Sequence, residues 1–258
     1  MANEYQKIQT LFMRDENSII MPDSLTLPEF EYLKDCKWEA TEKIDGTNVH
    51  IDVDFWLERC DETSYERTVK WDICGRTERA NLPKHLVDHI NNVLGEGNGL
   101  INAFYEPLMK ALDNYEKVFR VSIYGEGYGV KIQKGGNYIK DGVGFIVFDV
   151  RVGNYWLKRE AIEEIAQKLG FPVVPLIGMM TLTEAIEYVK KGFKSTIAQN
   201  PDYDAEGLVL KTPCGLLGRN GQRLITKIKT CDFQKYRAKY GDGPVVQKPN
   251  PFYSNGKA

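Results

Sequence analysis

The sequence has few cysteines, and their spacing does not make a metal site. Its five cysteines are spread over 258 residues, and none forms the Cys-x-x-Cys pair typical of structural zinc sites. An odd number of widely spaced cysteines also gives no regular framework for disulfides. We therefore expect reduced thiols in a reducing compartment, which means the cytoplasm, or the host cytoplasm if the source is viral.

Long hydrophobic runs and a strong excess of one charge are also missing. No apolar stretch is long enough to span a bilayer, and the first residues lack the apolar core of a secretory signal, so we expect no membrane partner. The formal net charge of −2 does not indicate a nucleic-acid partner, although a sum over the chain can hide a local basic surface. The 42% of hydrophobic residues is ordinary for a globular protein with a sizeable core.

Hydrophobic periodicity predicts intermixed strands and helices without internal repeats. The predicted strands are 37–44, 48–56, 118–124, 144–150, 206–212 and 223–229, and the predicted helices are 84–94, 102–117, 159–169 and 183–191. The order lacks a strict βαβ rhythm, so we expect an α+β fold with largely antiparallel sheets. We divide the chain into an irregular lead-in packed on the domain (1–36), a main domain (37–230) and a short basic and aromatic tail (231–258).

Two glycine-rich segments are predicted to form turns beside these strands. The segment 125–129, Gly-Glu-Gly-Tyr-Gly, would expose the carboxylate of Glu126. The dipeptide Asn220-Gly221 lies between the last two strands and is a strong hairpin signal. Such a hairpin would place Glu206 close to Lys227 and Lys229.

The segment Lys43-Ile44-Asp45-Gly46-Thr47-Asn48 carries the strongest chemical signal. A lysine attacks phosphorus only when its amine is neutral, so a site would have to lower its pKa from about 10.4. Neighbouring cations and partial desolvation have this effect. In the same segment, Asn48 could bond a ribose hydroxyl. The alternative is a surface Asp-Gly turn preceded by an incidental lysine.

Lys227 and Lys229 are predicted to share one face of a strand, because side chains alternate along it. Two like charges on one face are unfavourable unless an anion lies between them, and a triphosphate is such an anion. Both cations would also lower the pKa of the Lys43 amine. Glu206, before a glycine at a strand start, is placed to hold a divalent ion.

Three further residues are weaker candidates, and each has a plainer alternative. Arg76 follows a glycine at a strand end and suits a phosphate or ribose contact, but it could be a solvated loop arginine. Glu126 could accept from ribose hydroxyls or be a turn glutamate. Phe148 could stack on a purine or simply pack in the core. The cations and aromatics of the tail could bind nucleic acid, but we favour an amphipathic helix with a solvated basic face.

These elements, in this order, resemble the motifs of the covalent nucleotidyltransferase superfamily, which contains ATP-dependent DNA and RNA ligases and mRNA capping enzymes. The resemblance runs from about residue 37 to 230 and is greatest to the RNA ligase 2-like group, whose nucleophile motif ends in asparagine, as at Asn48. DNA ligases and capping enzymes append an OB-fold domain, whereas only 29 residues follow Lys229 here. The resemblance therefore implies an adenylation domain of antiparallel sheets flanked by helices, without an OB-fold domain. Asp45 departs from the best-known RNA ligases, which have histidine there.

The resemblance implies a three-step reaction with ATP and Mg²⁺. Lys43 takes AMP from ATP, the AMP passes to a 5′-phosphate end, and a 3′-hydroxyl then displaces it. The implied catalytic residues are Lys43, Lys227 and Lys229, the implied metal ligand is Glu206, and the implied nucleotide contacts are Glu42, Ile44, Asn48, Arg76, Glu126, Phe148, Glu206, Lys227 and Lys229.

The expected partners are ATP and RNA or DNA ends, either in a nicked duplex or as RNA strands, and we expect a monomer. Asp45 is the form found in DNA ligases and capping enzymes, so a nick-sealing DNA ligase and a capping-type guanylyltransferase stay open. A non-catalytic nucleic-acid-binding module is a further alternative, in which the lysines only contact phosphates.

Overall fold

The computed structural model describes residues 4–59, 65–77, 80–95, 98–105, 119–133 and 138–241. The chain divides into two compact units, each with its own sheet and hydrophobic core. Unit 1 takes its residues from 1–5, 44–174 and 197–200, and unit 2 takes its residues from 6–43, 175–196 and 201–258. The domain boundaries at residues 37 and 230 stay a prediction.

The elements alternate along the chain, as an α+β fold requires. The strands are β1 (Gln9–Thr10), β2 (Phe12–Arg14), β3 (Ile20–Leu25), β4 (Trp38–Glu42), β5 (Thr47–Arg59), β6 (Tyr65–Gly75), β7 (Phe119–Gly129), β8 (Val143–Val152), β9 (Tyr155–Trp156), β10 (Leu176–Met180), β11 (Gly207–Lys211) and β12 (Ile225–Lys229). The helices are α1 (Pro28–Tyr32), α2 (Lys84–Leu94), α3 (Asn98–Leu100), the π-helical turn Ile101–Tyr105, α4 (Arg159–Leu169), α5 (Leu182–Lys191) and α6 (Thr230–Tyr240).

Unit 1 is built on an antiparallel sheet in the order β6-β5-β7-β8-β9. One face of β5 presents Val49, Ile51 and Val53 to a core that also contains residues of α2 and α4. The other face carries polar side chains such as His50 and Asp52. The alternation predicted for 48–56 is therefore confirmed, and β5 extends beyond it at both ends.

The predicted turn at 125–129 was wrong, because β7 continues through it to Gly129. The glycines there permit close packing. A Cβ on Gly125 would lie 2.4 Å from the ring of Phe145, and one on Gly127 would lie 2.3 Å from Leu86. The sheet and α2 therefore approach β7 where a larger side chain would clash.

Three of the four predicted helices are confirmed as α2, α4 and α5. Helix α4 ends at Gly170, which is left-handed at φ 80°, and α5 begins at Thr181 with a capping box to Glu184. At the predicted helix 102–117 the structure shows the π-helical turn Ile101–Tyr105, and residues 106–118 lie outside the described residues.

Unit 2 contains a sheet in the order β1-β12-β11-β4-β10. Strand β1 runs parallel to β12, and the other neighbours are antiparallel. Trp38, Leu208 and Ile228 lie in a core that also contains residues of α5 and α6. The predicted hairpin of β11 and β12 is confirmed, with Gly207 opposite Lys229.

Two interpretations of the N-terminal part change. Residues 4–36 are not irregular, since they contain β1, β2, β3 and α1. Strand β1 belongs to the five-stranded sheet through its pairing with β12, and β2 and β3 pair with each other in a separate sheet. Strands β4 and β5, on either side of Asp45-Gly46, lie in different sheets.

The favoured helix in the tail is confirmed as α6, in which Phe233 is buried and Lys235 and Lys239 are exposed. Residues 242–258 lie outside the described residues.

The predicted α+β class with antiparallel sheets is confirmed. Among the described residues, no helix is long and apolar enough to cross a membrane. The four cysteines in this part of the chain carry free thiols.

Candidate functional site

One carboxylate in unit 2 bridges two lysines. Glu206 Oε2 lies 2.6 Å from Lys43 Nζ, and Glu206 Oε1 lies 2.6 Å from Lys229 Nζ. The side chains of Lys43 and Glu206 are 18% and 14% exposed, so the pair is largely shielded from solvent but accessible to a ligand. The predicted approach of Glu206 to Lys229 is thus confirmed. The structure also shows that Lys43 contacts the same carboxylate.

The strand arrangement explains how these three residues meet. Lys43 directly follows β4, which is paired with β11, and its backbone N–H donates to the carbonyl of Gly207 (2.9 Å). Gly207 has φ +151°, and a Cβ there would lie 2.0 Å from the carbonyl oxygen of Ile228. Only glycine allows β11 to approach β12 this closely, and this approach fixes Glu206 beside Lys229.

Lys227 lies two residues before Lys229 on β12, opposite Val209. Both lysines are half-buried on one face, while Ile228 between them points into the core. The prediction that the two cations share a face is therefore confirmed. Burial lowers the pKa of Lys229, but the hydrogen bond and charge of Glu206 outweigh it, so this pKa is raised overall.

Glu42, the residue directly before Lys43, is buried in unit 2. Its carboxylate is 1% exposed and accepts hydrogen bonds from Ser195 Oγ (2.5 Å), Thr196 N (2.9 Å) and Thr196 Oγ1 (2.7 Å). These bonds fix the residue before Lys43. Its predicted nucleotide contact stays a prediction, and the sequence alone did not point to Ser195 or Thr196, which lie more than 150 residues away.

In unit 1, Asn48 and Glu126 lie directly opposite each other on β5 and β7. They therefore share one face of the sheet, which is the polar face. Asn48 Oδ1 is buried and receives no hydrogen bond among the described residues. A buried acceptor without a donor is unfavourable, so this position is suited to a ligand hydroxyl.

Phe148 lies at a β-bulge. Tyr124 pairs with Asp149, and the next residue, Gly125, pairs with Val147, so the register of the two strands shifts at Phe148. The bulge turns its side chain, so Phe148 is half-buried while its two neighbours are buried. The stacking predicted for this ring stays a prediction, and so does the alternative of plain core packing.

Tyr5 is a neighbour of Phe148 that the sequence did not reveal. Its ring packs edge-on to Phe148 with centroids 5.0 Å apart, and its hydroxyl donates to Asp149 Oδ2 at 2.5 Å. Tyr5 and Asp149 are both buried. No local motif marks Tyr5, because its partners lie more than 140 residues along the chain.

Arg76 leaves the sheet at the Asn48 end of β5, directly after the pair Val49–Gly75. It is exposed, and it makes no hydrogen bond or ion pair with the described residues. Ile44 is buried, and the next backbone N–H, that of Asp45, bonds the hydroxyl of Tyr138 at 2.8 Å. The contacts predicted for Arg76 and Ile44 stay predictions.

The predicted residues divide between the two units. Lys43, Glu206, Lys227 and Lys229 belong to unit 2, and Asn48, Arg76, Glu126 and Phe148 belong to unit 1. The described residues contain no group of three or more His, Cys, Asp or Glu side chains that could hold a metal. A single carboxylate such as Glu206 suits Mg²⁺, which takes most of its ligands from phosphates and water.

A family model described as RNA ligase matches residues 37–229 of the chain. A mutant RNA ligase of Naegleria gruberi, solved with ATP and Mn, aligns with TM-score 0.52 and 18% identity over 92% of this chain and 62% of that one. An apo mutant aligns with TM-score 0.50 and 19% identity over 88% and 57%. None of the curated proteins matches the sequence. The chain thus spans less than two thirds of these structures, and the likeness to them shows a shared fold.

Proposed function

Because the chain belongs to the RNA ligase family, we propose that it is an ATP-dependent RNA ligase that joins 3′-hydroxyl and 5′-phosphate ends through a lysyl-AMP intermediate. The observation that carries this proposal is the approach of Lys43, Glu206 and Lys229 at one end of the strands β4, β11 and β12. It gives a shielded lysine, a carboxylate and a second cation, which are the groups that nucleotidyl transfer to an amine needs.

In the first step, Lys43 Nζ forms a bond to the α-phosphorus of ATP. The bond from this phosphorus to the bridging oxygen breaks, and pyrophosphate leaves with the electron pair. The neutral amine loses one proton to the solvent and keeps one N–H in the phosphoramidate. Lys227 and Lys229 stabilise the charge that develops on the phosphates, and positioning with charge neutralisation supplies most of the catalysis.

The Glu206 carboxylate contacts the Lys43 amine at 2.6 Å, whereas attack on phosphorus uses the lone pair of that amine. A cation that takes over the Glu206 carboxylate would release Lys43. Bound Mg²⁺ would neutralise phosphate charge, and Glu206 is the residue proposed to hold it.

The proposed nucleoside contacts lie in unit 1. Asn48 and Glu126 form hydrogen bonds with ribose hydroxyls. The buried Oδ1 of Asn48, which receives no hydrogen bond among the described residues, supports this assignment. Phe148 stacks on adenine, which the bulge supports, and Arg76 contacts the nucleotide or the 5′-phosphate. We assign nucleotide contacts to Glu42 and Ile44 as well, and the adenylation domain to residues 37–230.

Asn48 favours the RNA ligase 2-like group, whose members lack an OB-fold domain. A nick-sealing DNA ligase or a capping-type guanylyltransferase is the second candidate, and Asp45 is the residue that favours it. We further propose a monomer in the cytoplasm.

The direct test is covalent labelling. The protein is incubated with α-labelled ATP and Mg²⁺ and run on a denaturing gel, with Lys43→Ala beside Lys84→Ala as a matched control. We expect label on the wild type and on the control, and none on Lys43→Ala. Equal labelling of all three would disprove the role of Lys43, and preferential labelling by GTP would support a capping-type enzyme. A panel of nicked and single-stranded substrates with RNA or DNA at the 3′-hydroxyl then separates RNA from DNA ligase.

A further inference from the structure

Unit 2 contains a pocket with polar lining residues at the opposite end of β12 from the Lys43–Glu206–Lys229 cluster. It has a volume of about 200 Å³ and is lined by residues of the segments 6–9, 27–29 and 218–225. Ile225 lines the pocket, and Lys229 ends the same strand. The four residue steps between them span about 13 Å at the usual rise of a strand.

The pocket is positively charged. Lys7, Arg219 and Arg223 line it, against the single carboxylate of Glu29. Lys7 and Arg219 are exposed, so their charged groups are accessible to a ligand. The lining also includes the amide side chains of Gln9, Asn220 and Gln222, which can donate hydrogen bonds to an anion.

The wall of the pocket is held in place by hydrogen bonds. The side chain of Gln6 donates to the carbonyl of Arg223 (2.8 Å) and accepts from its N–H (3.1 Å). The loop is closed by bonds from Gly218 N to the Gln222 carbonyl (2.8 Å) and from Leu224 N to the Leu216 carbonyl (2.7 Å). Its cationic side chains therefore project from an ordered backbone, which lowers the entropic penalty of binding.

The size of the pocket limits what it can take. Sites for whole drug-sized ligands typically measure about 300–1,000 Å³, so a pocket of about 200 Å³ is too small for a nucleoside triphosphate. It suits one phosphate group with part of its sugar. An arginine beside a lysine, with amide donors, is the chemistry that binds phosphodiesters without reading the bases.

We propose that this pocket binds a backbone phosphate of the nucleic-acid strand that is to be joined. This inference rests on the proposed function, because it assigns a subsite for the polynucleotide of the same reaction. The distance of about 13 Å along β12 equals about four nucleotide steps at the spacing of about 3.4 Å along the axis of duplex DNA. The pocket therefore holds the strand a few nucleotides from the reacting end, independently of sequence.

The test compares two double variants that each remove two positive charges. The first is Lys7→Ala with Arg219→Ala. The control is Lys84→Ala with Lys168→Ala, whose side chains are exposed on α2 and α4 and paired with acids one turn away. Binding to a nicked RNA duplex is measured at several salt concentrations, and labelling by α-labelled ATP is measured in parallel.

We expect the pocket variant to bind the duplex about 10- to 100-fold more weakly at 0.1 M salt, with a salt slope smaller by about 2. It should still be labelled by ATP, and the control should match the wild type in both assays. Unchanged affinity and slope would overturn the proposal, as would equal losses in the control. Loss of labelling in the pocket variant alone would place the pocket in the ATP reaction instead, which also overturns it.

A third arm separates a polynucleotide subsite from a site for free phosphate. Inorganic phosphate is titrated against the duplex at constant ionic strength. Competition in the wild type but not in the pocket variant supports the proposal, whereas phosphate binding with unchanged duplex affinity contradicts it. Failure of the wild type to label with ATP would remove the proposed ligase, while the binding comparison would still decide the pocket.

Discussion

The carboxylate of Glu206 lies 2.6 Å from the amine of Lys43, although 163 residues separate them in the chain. The same carboxylate contacts Lys229. Its charge is thus shared between the proposed nucleophile and a cation proposed to bind phosphates. This arrangement explains how the two lysines can lie close together.

Replacing Glu206 by glutamine should greatly reduce labelling of Lys43 by ATP. Glutamine keeps the shape of the side chain but cannot neutralise two lysines or hold a divalent cation. We expect a loss of about 100-fold or more, comparable to removal of one preorganised electrostatic contact in an active site. Glu187→Gln, on the exposed side of α5, is the control and should retain the full rate. A Glu206→Gln protein that labels as fast as the wild type would remove the carboxylate from the mechanism.

Replacing Phe148 by alanine should raise the KM for ATP in the labelling reaction more than it lowers kcat. Stacking of a base on an aromatic ring contributes about 1–3 kcal/mol, so we expect ATP affinity to fall by about 5- to 150-fold. Phe148→Tyr retains the aromatic face and should stay close to the wild type. If the alanine variant instead loses stability with an unchanged KM, the ring is a packing residue.

Replacing Tyr5 by phenylalanine should destabilise unit 1 while keeping the ring beside Phe148. The variant removes the hydroxyl that donates to buried Asp149. Loss of a buried donor to a carboxylate should lower the free energy of unfolding by about 1–3 kcal/mol in urea. Tyr155→Phe, whose side chain is 78% exposed, should change little. If Tyr5→Phe and Tyr155→Phe have the same free energy of unfolding, the hydrogen bond from Tyr5 to Asp149 does not contribute to stability.

Stability should decrease as the pH falls below 6.5, and His50 should be one cause. Burial lowers the pKa of His50, an effect that Arg151 reinforces and that Asp52 and Glu4 oppose. The unfolded chain therefore binds a proton at a pH where the folded protein does not, and this favours unfolding. The contribution of His50 to the stability is fully present above 6.5, the pKa of the unfolded chain. This contribution is lost as the pH falls from 6.5 toward the lower pKa of the folded protein.

The measurement is urea unfolding at pH 7.5, 6.5 and 5.5. His50→Asn should flatten the slope, and His85→Asn, at an exposed position, should leave it unchanged. An unaltered slope in His50→Asn would assign the pH dependence to other groups.

The sequence by itself determined the local elements. The alternation of Val49, Ile51 and Val53 predicted β5, and the helical period with Gly170 predicted α4. The Asn220-Gly221 turn signal predicted the hairpin that brings Glu206 to Lys229. These features depend on neighbours in the chain, whose spacing fixes which face each side chain occupies.

Only the tertiary structure decided how distant segments meet. It placed Lys43 on the carboxylate of Glu206, turned Phe148 out at a bulge and brought Tyr5 to Asp149. It also showed that β7 continues through a glycine-rich segment whose sequence predicts a turn. Neighbouring elements pack there against Gly125 and Gly127, which have no side chains. Strand order, register and bulges arise from packing between segments far apart in sequence, and no local periodicity encodes them.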